Sequence, residues 1–159
     1  MIAMDMRIVG DISFIAQWDS DGAGRAVLFR DLVDDITDIV HDLAQQFAPE
    51  DSGELRTLGI GVDEVDKIPP GNRYRGIVGL RRTPRHGEWV HEGTGIFGPT
   101  GSPIRSPLGN VMRFQGREGW VSKNEVLGQP AQPFLRQAFE VANATRVPVR
   151  IRRFAAELR

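Results

Sequence analysis

Asp31-Leu32-Val33-Asp34-Asp35-Ile36-Thr37-Asp38-Ile39-Val40-His41-Asp42-Leu43 is the stretch that decides the fold. Leu28, Leu32, Ile36, Ile39, Leu43 and Phe47 recur at steps of three and four, which predicts one amphipathic helix over residues 25–48 with that stripe toward a core. Asp31, Asp35, Asp38 and Asp42 follow the same step on another face, joined by Asp34 and compensated by no lysine. Like charges at this spacing cost a few tenths of a kcal/mol per pair in an isolated helix. This flank is therefore either a solvated face or a surface that meets a neighbour's arginines or DNA.

Outward from the helix, Ala48-Pro49 ends it, and Glu50-Asp51-Ser52-Gly53 supplies a turn. Leu58, Ile60 and Val62 alternate with Thr57, Gly59, Gly61 and Asp63, the period of a half-buried strand. Residues 68–72 read as a loop, 74–80 as the returning strand, 81–87 as a basic turn and 88–91 as a third short strand. Residues 93–111, rich in glycine and proline, predict a long loop, and residues 111–122 a hairpin arm centred on residues 115–119.

Pro130-Ala131-Gln132-Pro133 is a stiff lead-in to a second helix over residues 133–144, with Phe134, Leu135, Ala138, Phe139 and Val141 apolar. Val147, Val149 and Ile151 alternate with Pro148, Arg150 and Arg152, which suggests a basic edge strand. The expected class is α+β: a long N-terminal amphipathic helix and a C-terminal helix on a small, mostly antiparallel sheet, with a long loop and a projecting hairpin. The chain reads as a single domain over residues 1–159, residues 1–24 and 146–159 carrying no assigned role.

The sequence has no cysteine, which excludes disulfides, thiolate chemistry and cysteine-based metal sites. It has no apolar run of membrane-spanning length and no signal-peptide core, so a soluble intracellular protein is expected. Net charge is −1, yet residues 1–64 carry −10 and residues 65–159 carry +9. Such polarity suits head-to-tail contact between identical subunits.

Gly93-Thr94-Gly95-Ile96-Phe97-Gly98 matches a dinucleotide-binding pattern, but Pro99 and Pro103 oppose the helix whose N-terminus would hold the phosphates. No phosphate-loop, zinc or nucleophile-elbow pattern occurs around the three histidines or the serines. An exposed acidic stripe also lacks the burial that prepares carboxylates for acid-base work. The sequence thus offers no catalytic, cofactor-binding or metal-binding residue, and no enzyme is expected. Arg146, Arg150, Arg152 and Arg153 form a basic candidate interface, open to a neighbouring subunit or to nucleic-acid phosphates.

In order along residues 28–142, the long helix ending in Ala48-Pro49, Asp51-Ser52-Gly53-Glu54-Leu55-Arg56, Val78-Gly79, Val90-His91-Glu92-Gly93-Thr94, the Gly98-Pro99-Thr100-Gly101-Ser102-Pro103-Ile104 loop, a hairpin, and the segment from Gly128-Gln129-Pro130 to Ala138 resemble the neck or tail-completion proteins of long-tailed bacteriophages. The resemblance implies a structural virion protein at the head–tail junction that assembles as a six-fold ring and makes filled heads competent to join tails. Its partners would be itself, adjacent connector, head-closure and tail proteins, and DNA passing without sequence-specific binding; no cofactor and no membrane are implied. Its place would be the virion, and the host cytoplasm during assembly. Tail terminators and head-closure rings are related alternatives, and a nucleic-acid-binding module using the basic C-terminus is a more remote one. Within this picture Ile96, Phe97, Ile104, Met112, Phe114 and Trp120 are the candidate interface arm, and the Asp31, Asp35, Asp38, Asp42 face a candidate channel lining or contact.

Overall fold

Eight apolar side chains spaced along one broad arc, from Phe29 to Ala48, are buried by the helix α1 (Ala23–Phe47) and the residue that follows it. The computed structural model describes residues 3–9, 11–18, 23–50, 53–68, 72–81, 86–107, 109–116 and 119–157. The predicted turns at 51–52, 69–71, 82–85 and 117–118 lie outside them. Two compact units emerge, one from residues 1–84 and 134–159, the other from residues 85–133.

In the first unit, strands β1 (Ala3–Val9), β2 (Asp11–Trp18), β3 (Ile60–Ile68) and β4 (Asn72–Leu80) form an antiparallel sheet ordered β1-β2-β4-β3. Helix α1 lies against β4, β3 and β2. Along β4, Tyr74, Gly76 and Val78 are buried in alternation, the pleat of a strand with one face inward. At the centre of this contact a Cβ on Gly76 would collide with the Oγ1 of Thr37, which is fully buried and donates to the Val33 carbonyl at 2.7 Å. Glycine is required there because helix and strand touch backbone to side chain.

Two further helices close the core. Helix α3 (Phe134–Ala144) buries Phe134, Leu135, Ala138 and Ala142, one side at three- and four-residue steps, and packs on α1. Helix α4 (Arg146–Glu157) buries Val147 and Phe154, whose ring meets Phe29 edge-on at 5.2 Å. Each fully buried side chain of this size contributes about 1.5–3 kcal/mol.

Several expectations are corrected. Residues 147–151 are not an edge strand: Val147, Ile151 and Phe154 repeat at helical spacing, and Pro148 sits in the first turn, where its missing N–H goes unused. Residues 88–91 belong to helix α2 (His86–Glu92), with Glu88 in its first turn and Gly93 stopping it at φ 80°. Leu58 is exposed in a π-helical turn (Leu55–Gly59), so the strand starts only at Ile60. The α1 core face is also rotated: Leu28, Ile39 and Phe47 lie at its margin or outside it, whereas Phe29, Val33 and Val40 are fully buried. The segment before α1, unassigned from sequence, supplies half of the sheet.

Arg56 binds the end of α1. Its Nη2 donates to the Ala48 carbonyl at 3.2 Å and its Nη1 pairs with Glu50 at 3.2 Å, serving a carbonyl that the helix ladder leaves without a donor.

Gly76→Ala is expected to destabilise the fold by about 1–3 kcal/mol in denaturant unfolding, as overpacking does. Adding Thr37→Ala should recover part of that loss; two strictly additive penalties would show that the two positions do not compete for space.

Candidate functional site: an acidic helix face, an arginine groove and an apolar arm

Helix α4 sorts its arginines by angle. Arg146, Arg150 and Arg153 stand at i, i+4 and i+7 on one side, while Arg152 turns away and its Nε donates to the Pro148 carbonyl at 3.2 Å. Arg150 Nε meets Asp35 Oδ2 of α1 at 2.6 Å, and its Nη1, buried without a hydrogen-bond acceptor, lies 3.6 Å from Glu157 Oε2. A partly exposed pair of this kind is worth up to about 1 kcal/mol, enough to fix the side chain though not the helix. Ile39, Thr145, Arg146, Val149, Arg150 and Arg153 line an open groove of about 390 Å³. From sequence Ile39 reads as part of the core stripe and Val149 as the apolar side of a strand, so neither points to a groove; the helical spacing of the arginines is the signal for it.

Asp31, Asp35, Asp38 and Asp42 all lie exposed along α1, opposite its buried arc. Of the four only Asp35 forms an ion pair among the described residues. The carboxyl of Asp38 is raised above its ordinary value by desolvation, then by the neighbouring charges of Asp34 and Asp42. The structure therefore joins the predicted acidic and basic candidates at one point, Asp35 with Arg150, and among the described residues gives Asp31, Asp38 and Asp42 no ion pair.

The second unit is built differently. Strands β5 (Ile104–Arg105) and β8 (Glu125–Val126) pair, as do β6 (Met112–Gly116) and β7 (Gly119–Lys123). The segment 94–98 is tied by main-chain bonds to 127–129: Thr94 N–H donates to the Gln129 carbonyl at 3.0 Å and Ile96 N–H to the Leu127 carbonyl at 2.9 Å. Gly95 (φ 64°) and Gly128 (φ 92°) make this possible, since a Cβ on either would strike the opposite backbone. The G-x-G-x-x-G match is thus accounted for by backbone contact.

All six predicted arm residues fall in this unit. Ile96, Phe97, Ile104, Phe114 and Trp120 are exposed and Met112 is half-buried; Trp120, 64% exposed, carries Arg113 over its ring at 5.2 Å. Trp89, Val111 and Leu127, not anticipated, are exposed too. Among the described residues of this unit no apolar side chain is buried.

Among the described residues no three His, Asp or Glu side chains converge as metal ligands, and no helix is long and apolar enough to cross a membrane. His91 and Glu92 are consecutive residues at the end of α2. Comparison with protein-family models, curated proteins and solved structures finds no match.

A folded-state carboxyl raised in this way gives stability that is present at low pH and lost as pH rises through its folded value. Asp38→Asn is therefore expected to raise the melting temperature near pH 7 by about 1–2 °C, as relief of one or two like-charge pairs would. The gain should vanish at about pH 3, where both states of Asp38 are protonated; an equal gain at both pH values would contradict the assignment.

Proposed function

We propose that this chain is a structural protein of the phage virion, a neck or tail-completion protein that assembles as a ring at the head–tail junction and enables heads to join tails. The observation that carries the reading is the second unit: it exposes Trp89, Phe97, Phe114 and Trp120 while burying no apolar side chain among its described residues. Ordering a residue costs about 1–2 kcal/mol of backbone entropy, and main-chain hydrogen bonds return only about 1 kcal/mol each. Exposed aromatic side chains that fill no core of their own are available for neighbours to cover, which is what supports the reading. In the proposed ring it lies against the adjacent subunit or the next layer, and DNA passes through without being read. The protein makes and breaks no covalent bond in this role, and needs no cofactor.

Disrupting the gene in a phage that carries it should leave filled heads and complete tails unjoined in electron micrographs. Intact infectious particles would overturn the proposal. In the isolated chain, protease should cut residues 95–122 well before the helices of the first unit, and assembly should protect them. Trp120→Ala should lower assembly at least tenfold while shifting the melting temperature of the isolated chain by less than about 2 °C, because an exposed side chain contributes little to its own fold.

A further inference from the structure

We infer that the groove between α1 and α4 is the docking site for the acidic face of α1 from a second copy of this chain. The inference rests on the ring reading above and names its subunit contact. Three arginines one helical turn apart, Arg146, Arg150 and Arg153, line a depression together with the aliphatic side chains of Ile39 and Val149. A ligand suited to it is a row of carboxylates at helical spacing, with short aliphatic surface between them. The chain itself carries such a row in Asp34, Asp38 and Asp42, none of which pairs with a base among the described residues. Asp35 on Arg150 at 2.6 Å is the same recognition made within one molecule, and it holds the central arginine while Arg146 and Arg153 remain exposed on either side.

A polyanion is the competing occupant, and the surroundings disfavour it. Asp35 already sits on the central arginine, and its charge, with those that follow it along α1, repels a strand of phosphates laid in the groove, so repulsion offsets what the arginines gain. A partner helix presents its acids to the groove and can turn its remaining surface away from the neighbour's acids. The acidic patch of one copy then faces the basic groove of the next, and a chain of such head-to-tail contacts closes as a ring when its rotation divides the circle. The acidic face is thereby buried between subunits and does not line the channel.

The lack of cysteine gives a clean test. Asp38→Cys in one copy and Val149→Cys in a tagged copy, both exposed positions, are mixed and oxidised, and disulfide-linked pairs are separated on non-reducing gels. The mixed pair should exceed either self-pair at least tenfold. It should fall at least tenfold when the Val149→Cys copy also carries Arg146→Glu and Arg153→Glu, and also at high salt. Arg146→Gln with Arg153→Gln, a milder change checked for unaltered helical circular dichroism, should give an intermediate loss. Mixed pairs no more abundant than self-pairs, or indifferent to the arginine changes, would overturn the contact. So would retention of generic duplex DNA that depends on Arg146 and Arg153 while cross-linking does not. The particle phenotype of gene disruption is read separately, so a failed contact and a failed neck assignment are told apart.

Discussion

The close approach of α1 to β4 at Thr37 and Gly76 is the constraint on which the first unit depends. Thr37 turns its hydroxyl back onto the Val33 carbonyl and so enters a fully buried site with its polar group satisfied, and Gly76 leaves room for it. With α1 held this near the sheet, its buried arc is wide enough to serve β3 and β4 on one flank and α3 on the other. Phe29 then meets Phe154, which anchors α4. The position of α4 places Arg150 against Asp35 and opens the groove between the two helices. A surface charge pair at 2.6 Å is thus the outer end of a chain of packing contacts that begins at a single missing Cβ.

The two units solve the problem of stability by different means. The first buries aromatic and aliphatic side chains from all its helices and from β3 and β4. The second relies on paired short strands, on glycines at positive φ and on main-chain bonds between residues 94–98 and 127–129. Its aromatic side chains are left outward, which is the reverse of what a self-sufficient domain does with them. This contrast between a filled core and a unit whose described apolar side chains stay exposed or half-buried gives the assembly reading its physical support, independent of any resemblance in sequence.

Much of the α+β fold was legible in the sequence wherever hydrophobic periodicity ran long. The α1 pattern, the alternation along β4, the helix after Pro133 and the arm between residues 111 and 122 all carry enough turns or pairs to be read. Short elements were not. Val147, Val149 and Ile151 satisfy period two, but Phe154 lies beyond that window, and only its inclusion turns the pattern into a helix. Met4, Met6 and Ile8 alternate with Asp5 and Arg7, as Ile12, Phe14 and Ala16 do with Ser13 and Gln17, so the period of β1 and β2 is present in a segment to which the sequence reading gives no role. Of the candidate site, exposure of the arm residues and of the acidic row followed from composition and spacing. The separation of Arg152 from its neighbours and the Arg150–Asp35 pair did not, because both depend on α4 being helical and on the tertiary contact that docks it.

The way residues 94–98 meet residues 127–129 has an evolutionary consequence. Main-chain pairing asks little of side-chain identity except at Gly95, Gly98 and Gly128, where a Cβ would strike backbone, and at Thr94, whose Oγ1 accepts from the Gln129 N–H at 3.1 Å. Ile96 and Phe97, both exposed, can vary without unravelling the scaffold that displays them. A lineage meeting a new mating surface can therefore retune hydrophobic contacts at these two positions one substitution at a time, while Thr94 and the glycines keep the shape.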